Sequence, residues 1–394
     1  MPQPFGCGIF LCYNFIVEHL FEGEEFLSSS SIKNPDKRIY VCHTYYHVFV
    51  TILKELNLPE EKQGNATLVL SKMSNDFEDL KTRVEKSGIF ESVIEFDEKR
   101  DTFFPELMEL KKDRGNVVKN MYYRILYTKA YAKLEAPYVP VDFRQYGDIY
   151  VFCDGDPIGR YLNQNRIRYH AVEDGLDTLK PCVQAHYDNR GFFKLKKFMS
   201  MHLNLIFMCD GYSKYCIDME VNDKSVIDDD FYKYKEVRRQ ALMDALSDSD
   251  REKLISIFIR DMDSFRAFLS KGVGDGILLL TEPLCTLDIR EKIFNDIIDT
   301  YKGDGTIFIK PHPRDELDYS EKFPGYWVFD RTLPMEMFKL FKEVHFKKVV
   351  GVYTQLGMID FADEKIMLGH DFMDNYEDPD VHRKGEKVKA EFKK

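Results

Sequence analysis

The chain has 394 residues, of which 44% are hydrophobic and 31% are charged, and its formal net charge at pH 7 is -11. This length predicts two or three domains, and the acidic balance argues against a general nucleic-acid-binding protein. No run reaches the roughly 18 apolar residues that a membrane-spanning helix needs. The eight cysteines form no CxxC pair and no metal-ligand spacing, which is typical of a reducing, cytoplasmic compartment.

The first part of the chain alternates β-rich runs with helical patterns. Residues 1–37 are interpreted as an appendage, and residues 38–245 as one doubly wound, Rossmann-like lobe. Strands are predicted over 38–43, 66–71, 91–96, 148–153 and 167–172, and helices over 44–57, 77–87 and 105–135.

A second alternating region follows an acidic stretch at 218–234, which is interpreted as a boundary region. Helices are predicted over 234–257, 262–270, 289–301, 334–342 and 354–361, and strands over 276–281, 305–310 and 346–352. We predict a smaller Rossmann-like lobe over 246–375 and a basic tail over 376–394. The predicted fold class is therefore α/β, with two lobes facing a central cleft and ligands at the carboxyl ends of the strands.

The tripeptide Glu173-Asp174-Gly175 follows a predicted strand of the first lobe. Gly175 permits a tight reversal, and successive side chains point to opposite sides. One carboxylate can therefore face the cleft and take a proton from a sugar hydroxyl, while the other caps local amides. The alternative, favoured when the motif is taken alone, is a solvated acidic turn.

The tetrapeptide Lys310-Pro311-His312-Pro313 follows a predicted strand of the second lobe. The two prolines fix their own φ angles and restrict the residues before them, so His312 is expected on a stiff loop. An imidazole and an ammonium aimed at one point suit a phosphate that must leave. The alternative is a strand end punctuated by prolines, with an incidental histidine.

Two further residues fall where a nucleotide site would need them. Glu336 opens a predicted helix and can accept hydrogen bonds from ribose hydroxyls, or it is simply a favourable acid in a first helical turn. Thr354 follows a strand and precedes a predicted helix, so its hydroxyl and the helix amides can bind phosphate. The alternative for Thr354 is an ordinary N-cap.

The order of these motifs resembles that of the bacterial sialyltransferases. The strand-to-helix opening Val41-Cys42-His43-Thr44-Tyr45-Tyr46-His47 is most similar to glycosyltransferase family 52, which includes lipooligosaccharide and capsule sialyltransferases, and the resemblance covers residues 38–370. It implies a GT-B fold, CMP-sialic acid as the donor and transfer to a terminal galactose, with an α2,3 linkage expected.

The resemblance also implies catalytic roles. Glu173 or Asp174 would be the base, with Glu173 favoured, and His312 would bind and protonate the CMP phosphate. Asp288 is a second candidate for the base, because members of these families can place the base on either lobe. Its alternative and favoured role is the N-cap of helix 289–301.

The remaining roles concern donor and acceptor binding. On the donor side, Lys310 would approach the cytidine, Glu336 the ribose and Thr354 the phosphate. Tyr353 stands where the family often has a second hydroxyl residue, so either the phenol substitutes or one hydroxyl alone contacts the phosphate. The other expected donor-side positions are Thr281, Pro313 and Gly351, and the expected acceptor-side positions are His43, Thr44 and Asp154.

Asp154 belongs to Asp154-Gly155-Asp156, which resembles the metal-binding DxD of other glycosyltransferases. Since His312, Lys310 and Thr354 would hold the leaving phosphate, we expect no metal and no cofactor. Asp154 would line the acceptor pocket or cap the helix that starts near Pro157.

The expected reaction is a single in-line displacement that inverts the anomeric centre. The expected partners are CMP-sialic acid and a galactose-terminated glycan, with no nucleic acid and with a homodimer left open. The basic stretches 190–198 and 383–394 can lie against an anionic membrane surface, or they are a solvated helix face and a chain terminus. Two other functions remain: a GT-B-like transferase using another CMP- or CDP-linked donor, and a non-catalytic glycan-binding protein.

Overall fold

The computed structural model describes residues 34–175, 184–227, 230–270, 273–357 and 359–383. Most of the predicted appendage and most of the basic tail lie outside these residues. The chain divides into two compact units. Within the described residues, the first unit comprises 34–43, 58–73 and 88–239, and the second comprises 44–57, 74–87 and the chain from 240 onward.

Short strands and helices alternate along the described chain. The strands are β1 Arg38–Cys42, β2 Ala66–Ser71, β3 Ser92–Phe96, β4 Asp148–Phe152, β5 Tyr169–Val172, β6 Cys216–Val221, β7 Tyr234–Glu236, β8 Ile277–Leu280, β9 Ile307–Lys310, β10 Trp327–Val328, β11 Phe346–Gly351 and β12 Ala362–Met367. The helices are α1 Tyr45–Leu56, α2 Leu80–Ser87, α3 Pro105–Lys111, α4 Val117–Glu135, α5 Pro157–Gln164, α6 Gln184–Asp188, α7 Phe193–Met201, α8 Arg239–Asp244, α9 Asp248–Phe258, α10 Met262–Ser270, α11 Leu287–Tyr301, α12 Tyr319–Lys322, α13 Gly369–Met373 and α14 Pro379–His382.

The first unit is built on a seven-stranded sheet with the order β3-β2-β1-β4-β5-β6-β7, in which every neighbouring pair is parallel. Every residue of β1 and β2 is buried, as expected for central parallel strands covered on both faces. The strand order reverses between β1 and β4. Ligands of such sheets bind outside the carboxyl ends of the strands at this switch point.

The second unit has a five-stranded parallel sheet with the order β10-β9-β8-β11-β12. Its strand order reverses between β8 and β11, which is the second switch point. Apolar side chains of β8, β9 and β11 form its core with one face of α11, including Leu279, Ile309, Val350 and Phe294.

Some predicted elements are corrected. The predicted helix 105–135 is two helices, because Asn116 caps α4 by accepting hydrogen bonds from the amides of Val118 and Lys119. The predicted helix 234–257 is replaced by β7, α8 and α9. Residues 354–357 and 359–361 form no helix, and the chain enters β12 instead. The predicted helix 334–342 is a 3-10 helix over Met335–Leu340.

The acidic stretch interpreted as a boundary contributes a strand inside the first sheet. Asp218 and Glu220 lie on β6, between β5 and β7. Asp218 meets the Nδ1 of His170 at 2.6 Å, and Glu220 lies 3.6 Å from the Nζ of Lys235 on the adjacent strand. Cross-strand pairing of this kind lets charged residues occupy a sheet.

Among the helices that the structure describes, none combines the length and the apolar composition that a membrane span requires.

Candidate active site

The switch point of the first unit holds a buried histidine–carboxylate pair. His43 follows β1, and its Nε2 lies 2.8 Å from Oε2 of Glu98, which follows β3. Glu98 also accepts hydrogen bonds from the hydroxyl of Ser71 and from the amide of Ile158 in the first turn of α5. Burial lowers the pKa of His43, but the charge and hydrogen bond of Glu98, together with the charges of Asp156 and Asp174, leave the pKa raised. His43 is therefore held in one orientation with a bias towards the imidazolium.

The turn after β4 brings a second carboxylate to this pair. Cys153 has a left-handed φ of 53°, which is unusual for a side-chain-bearing residue and turns the chain sharply towards α5. Asp156, which immediately precedes α5, places its Oδ2 3.7 Å from the Nε2 of His43. Burial raises the pKa of Asp156 to about 6, against the attraction of His43.

The two acids of the predicted base motif take different positions. Glu173 is only 1% exposed, and its Oε1 accepts a hydrogen bond from the amide of Asn222, which follows β6. Burial raises the pKa of Glu173 to about 7, and the charge of Arg239 opposes this. Its Oε2 has no hydrogen-bond partner among the residues that the structure describes.

Asp174 is exposed, and Gly175 after it has a φ of 116°, a region that favours glycine. The charge of Asp174 acts on both His43 and Asp156, and its carboxylate lies beside the thiol of Cys153. One acid of the pair thus accepts from a backbone amide, and it is Glu173, the acid that the resemblance favoured as the base. Glu173 caps an amide inside the fold, and Asp174 is the acid at the edge of the sheet.

Two expected acceptor-side residues have other partners. Asp154 is 2% exposed, and its carboxylate accepts hydrogen bonds from the Tyr169 hydroxyl and from the amides of Asp210 and Gly211. It therefore does not cap α5. Thr44 belongs to the second unit, where its Oγ1 accepts a hydrogen bond from the amide of His47 and caps α1.

Lys310 is the last residue of β9 and is 6% exposed. Its Nζ donates to the carbonyl oxygens of Pro311 and Arg331, at 2.8 and 3.1 Å, and it forms no ion pair among the described residues. Burial lowers the pKa of Lys310 to about 8, although the charges of Asp330 and Glu336 favour the protonated form. An ammonium without a directly bonded carboxylate is suited to an incoming anion.

His312 is half-buried, and its tautomer follows from its contacts. The amide of Arg314 donates to Nδ1 at 3.1 Å, so Nδ1 carries no proton and the neutral ring is protonated at Nε2. Burial and the charges of Arg314 and Lys310 lower the pKa of His312 to about 4. Near neutral pH the ring is therefore an uncharged donor through Nε2–H.

A buried ionic network fixes the backbone that carries His312. Asp315 accepts hydrogen bonds from Thr281, Arg290 and Tyr319, at 2.8, 2.5 and 2.8 Å. The amide of His312 donates to Oγ1 of Thr281 at 3.1 Å. Thr281, which was expected to bind the donor, thus uses its hydroxyl to hold the histidine loop.

The loop after β11 contains Gly351, Tyr353 and Thr354. The amide and the hydroxyl of Thr354 both donate to Oε1 of Glu282, each at 2.7 Å, and the amide of Tyr353 donates to the same oxygen. The expectation that Thr354 precedes a helix is corrected, because residues 354–357 and 359–361 form no helix. Its hydroxyl already has a carboxylate partner.

Two other expected residues lie at the start of helical turns. Glu336 is half-buried in the 3-10 helix, where burial raises its pKa against the charges of Lys339 and Lys310. Asp288 is exposed in the first turn of α11 and accepts a hydrogen bond from Thr286, which lowers its pKa. The N-cap of α11 is Thr286, so the expectation that Asp288 occupies that position is wrong.

A cavity of about 350 Å³ adjoins Pro313 in the second unit. Its lining includes Arg314 and Arg331. Arg331 is paired with Glu78 at 2.6 Å, whereas Arg314 is exposed and forms no ion pair within the described part of the chain. Arg314 is thus a second cation available to an anionic ligand beside His312.

Sequence reasoning missed three of these residues, Glu98, Glu282 and Arg314. It considered Asp156 as part of the DxD-like motif, where it would line the acceptor pocket or cap a helix. Glu98 and Glu282 each come within two residues of a strand's carboxyl end, a signal that was available. The contacts that make them important join distant parts of the chain and could not be read from spacing.

The two Rossmann-like units have an α/β fold of GT-B type. Each carries a cluster of polar side chains at its strand ends: the first cluster is His43, Glu98, Asp156, Glu173 and Asp174, and the second is Lys310, His312 and Arg314. A family model for glycosyltransferase family 52 matches residues 86–368, and the chain belongs to this family. The resemblance inferred from the motifs is thereby confirmed.

Among proteins with curated sequences, an uncharacterized protein of Haemophilus influenzae is 33% identical over 129 residues, which cover 30% of this chain. The match spans 41% of the length of that relative.

Solved structures are similar to this chain at low sequence identity, and the first described here shares its fold. The 2,6-sialyltransferase of Photobacterium sp. JT-ISH-224, in a ternary complex with the donor product CMP and the acceptor substrate lactose, is 10% identical with a TM-score of 0.53, covering 84% of this chain and 71% of that chain. An α/β-galactoside α-2,3-sialyltransferase of Photobacterium phosphoreum is 11% identical with a TM-score of 0.46, covering 84% and 89%.

Proposed function

We propose that the protein is an inverting sialyltransferase that moves sialic acid from CMP-sialic acid to a terminal galactose hydroxyl, with α2,3 linkage, on a bacterial capsular or lipooligosaccharide glycan. Membership of glycosyltransferase family 52 supports this reaction class. The structural neighbour that binds CMP and lactose supports a cytidine donor and a galactoside acceptor.

The observation that carries the proposal is the pairing of a neutral His312 with a buried Lys310 at one strand end. The Nε2–H of His312 is the only ring hydrogen able to donate, because Nδ1 accepts from Arg314. Lys310 lacks a directly bonded carboxylate within the described residues, so a phosphate would complete its interactions. Preorganised donors of this kind stabilise the charge that develops on a leaving phosphate.

We assign the base to Asp174 rather than to Glu173. Asp174 is exposed beside His43 and Asp156, whereas Glu173 is buried and bonded to a backbone amide. In the reaction, Asp174 takes the proton of the acceptor hydroxyl as that oxygen bonds to the anomeric carbon. The bond from that carbon to the CMP phosphate breaks, and the phosphate leaves with the bonding electrons, stabilised by His312 and Lys310.

We further propose that this chemistry needs no metal and no cofactor. The leaving group is a phosphate monoester, and two protein cations, Lys310 and Arg314, lie beside the histidine that would contact it. The charge that a divalent ion supplies in other transferases would thus come from side chains.

A membrane-facing surface would suit a lipid-linked acceptor. Phe192, Leu195 and Phe198, at the start of α7 and along it, are 67%, 54% and 50% exposed. The stretch 189–209 carries four basic residues and no acid, in a chain with 67 acids. Exposed aromatic and cationic residues together favour an anionic bilayer. Sedimentation with phosphatidylglycerol vesicles should therefore weaken in a Phe192→Ser/Phe198→Ser variant but not in Val118→Ser, a matched exposed position.

The reaction is tested by incubating the protein with CMP-sialic acid and lactose in the presence of EDTA, and by resolving CMP and sialyllactose by mass. Formation of both products in EDTA supports donor, acceptor class and metal independence. CMP release without sialyllactose would retain the donor and reject lactose as an acceptor. If neither product forms, other CMP- and CDP-linked donors are tried next, and glycan binding without turnover would favour a binding protein.

A further inference from the structure

The end of β8 carries two neighbouring side chains that reach to opposite sides. β8 lies between β9 and β11 in the sheet. Thr281 bonds to the amide of His312, which follows β9, and Glu282 bonds to the loop that follows β11. Successive residues of an extended segment alternate in direction, which explains how one strand end serves both loops.

The carboxylate of Glu282 accepts hydrogen bonds from converging backbone amides at the switch point of the second unit. Its Oε1 accepts from the amides of Val352, Tyr353 and Thr354 at 3.1, 2.8 and 2.7 Å, and from the Thr354 hydroxyl at 2.7 Å. The residue is 8% exposed. Successive amides that converge in this way form an anion-binding concavity.

The geometry around Gly351 shows how closely this loop approaches the carboxylate. A Cβ built on Gly351 would lie 3.7 Å from Oε1 of Glu282 and 3.3 Å from Cβ of Thr354. A carboxylate bonded to three amides and a hydroxyl is held by charge-assisted hydrogen bonds, which are stronger than neutral ones. A phosphate entering the same donors would have to displace it and would meet a like charge.

We propose that Glu282 is a positioning residue that locks the loop after β11, and that Thr354 acts through Glu282 rather than by contacting the donor phosphate. With Thr281, Glu282 fixes the two loops on either side of β8. The phosphate is then bound on the His312 side, by Lys310 and Nε2–H. This second half rests on the proposed function, whereas the first half concerns the loop alone.

The claim that Glu282 locks the loop after β11 is tested without any substrate, by hydrogen exchange of a peptide spanning 346–357. In Glu282→Ala, the amides of Val352, Tyr353 and Thr354 should exchange at least about tenfold faster, since each loses its acceptor. Formate, a small carboxylate, should restore protection by occupying the vacated donors, and Glu282→Asp should restore part of it. Glu343→Ala, an exposed charge change on the same unit, should leave the peptide unchanged. Wild-type exchange in Glu282→Ala would overturn the proposal.

The claim that Lys310 and His312, rather than Thr354, bind the phosphate is tested by calorimetric titration with CMP. We expect Glu282→Ala to weaken CMP binding about tenfold, with formate restoring it, and Thr354→Val to weaken it by less than about threefold. Tighter CMP binding in Glu282→Ala, or formate that competes with CMP, would instead make these amides the phosphate site and refute the assignment. If the wild-type protein binds no CMP, the proposed function fails, while the exchange result still decides the role of Glu282.

Discussion

The polar clusters at the strand ends of the two units differ in whether burial disfavours a negative or a positive charge. In the first unit, burial raises the pKa of Asp156 to about 6 and that of Glu173 to about 7. In the second, burial lowers the pKa of Lys310 to about 8 and that of His312 to about 4. The cause is the same, because removal from water disfavours whichever form is charged. Burial thus disfavours the anionic form of the acids in the first cluster and the cationic form of the bases in the second, although Lys310 stays protonated at pH 7.

The two clusters also differ in whether their charged groups have oppositely charged partners within the same cluster. His43 and Glu98 form a buried pair in the first, and Asp156 lies 3.7 Å from the same imidazole. In the second, Lys310 donates only to carbonyl oxygens among the described residues. The first cluster therefore pairs its charges within itself, whereas the ammonium of the second has no carboxylate partner among the described residues. Under the proposed function, this difference would suit a base in the first cluster and phosphate binding by the second.

The largest expected effect tests the second cluster. Replacing His312 with alanine should lower kcat by about 10²–10⁴, because a positioned donor to the leaving phosphate is lost. His312→Gln should retain more activity than His312→Asn, because the glutamine amide nitrogen approximates Nε2 and the asparagine nitrogen approximates Nδ1. Steady-state kinetics measure both ratios.

His345→Ala is the matched control, since His345 is exposed and pairs with Asp363 at the surface. A His312→Ala variant within about tenfold of wild type would contradict the role of the ring.

The next effect separates the two acids of the first cluster. Asp174→Asn should lower kcat by about 10² or more, because the base is lost. Glu173→Gln keeps an oxygen for the amide of Asn222 and should stay within about threefold at pH 7. Single-turnover measurements with saturating acceptor compare them directly. The opposite ranking would return the base to Glu173.

A smaller effect tests the support of His43. Glu98→Gln removes the charge that raises the pKa of His43, so burial would leave the ring neutral. We expect kcat/KM for the acceptor to fall about tenfold, while Ser71→Ala, which removes one hydrogen bond to Glu98, costs less than about threefold. Equal losses in the two variants would indicate a packing role for Glu98.

Much of the fold could be predicted because buried parallel strands are marked by local composition. The apolar runs of β1, β2 and β8 stand out, and their helices carry a clear 3.6-residue period. β6 was missed because Asp218 and Glu220 give it a surface-like composition, and only their partners on β5 and β7 explain its position. A pairing between strands that are distant in sequence leaves no local signal.

Part of the candidate site was predictable, because strand ends and proline-flanked residues can be recognised in the sequence. His312 and Lys310 were found in this way, and so was the Glu173/Asp174 pair. The choice between Glu173 and Asp174 depends on which one meets Asn222, a contact across 49 residues. The occupation of the Thr354 amides by Glu282 depends on β8 lying beside β11, which is a property of strand order rather than of sequence spacing.

The smallest effect concerns the pH dependence of donor-product binding. Lys310 is protonated below a pKa of about 8 in the free protein, so its attraction for phosphate is present at pH 7 and is lost as pH rises through 8. CMP is a dianion throughout this range, since its second phosphate pKa is about 6. The dissociation constant of CMP should therefore rise above pH 8, approaching about tenfold per pH unit.

Lys310→Met should bind CMP more weakly at pH 7 and show no such rise, whereas Lys310→Arg should remain charged and also lose the pH dependence. Calorimetric titrations between pH 7 and pH 9 measure all three proteins. A flat wild-type profile would mean that the ammonium does not meet the phosphate. The carbonyl oxygens of Pro311 and Arg331 would then be its permanent partners, and His312 alone would distinguish this cluster from an ordinary strand end.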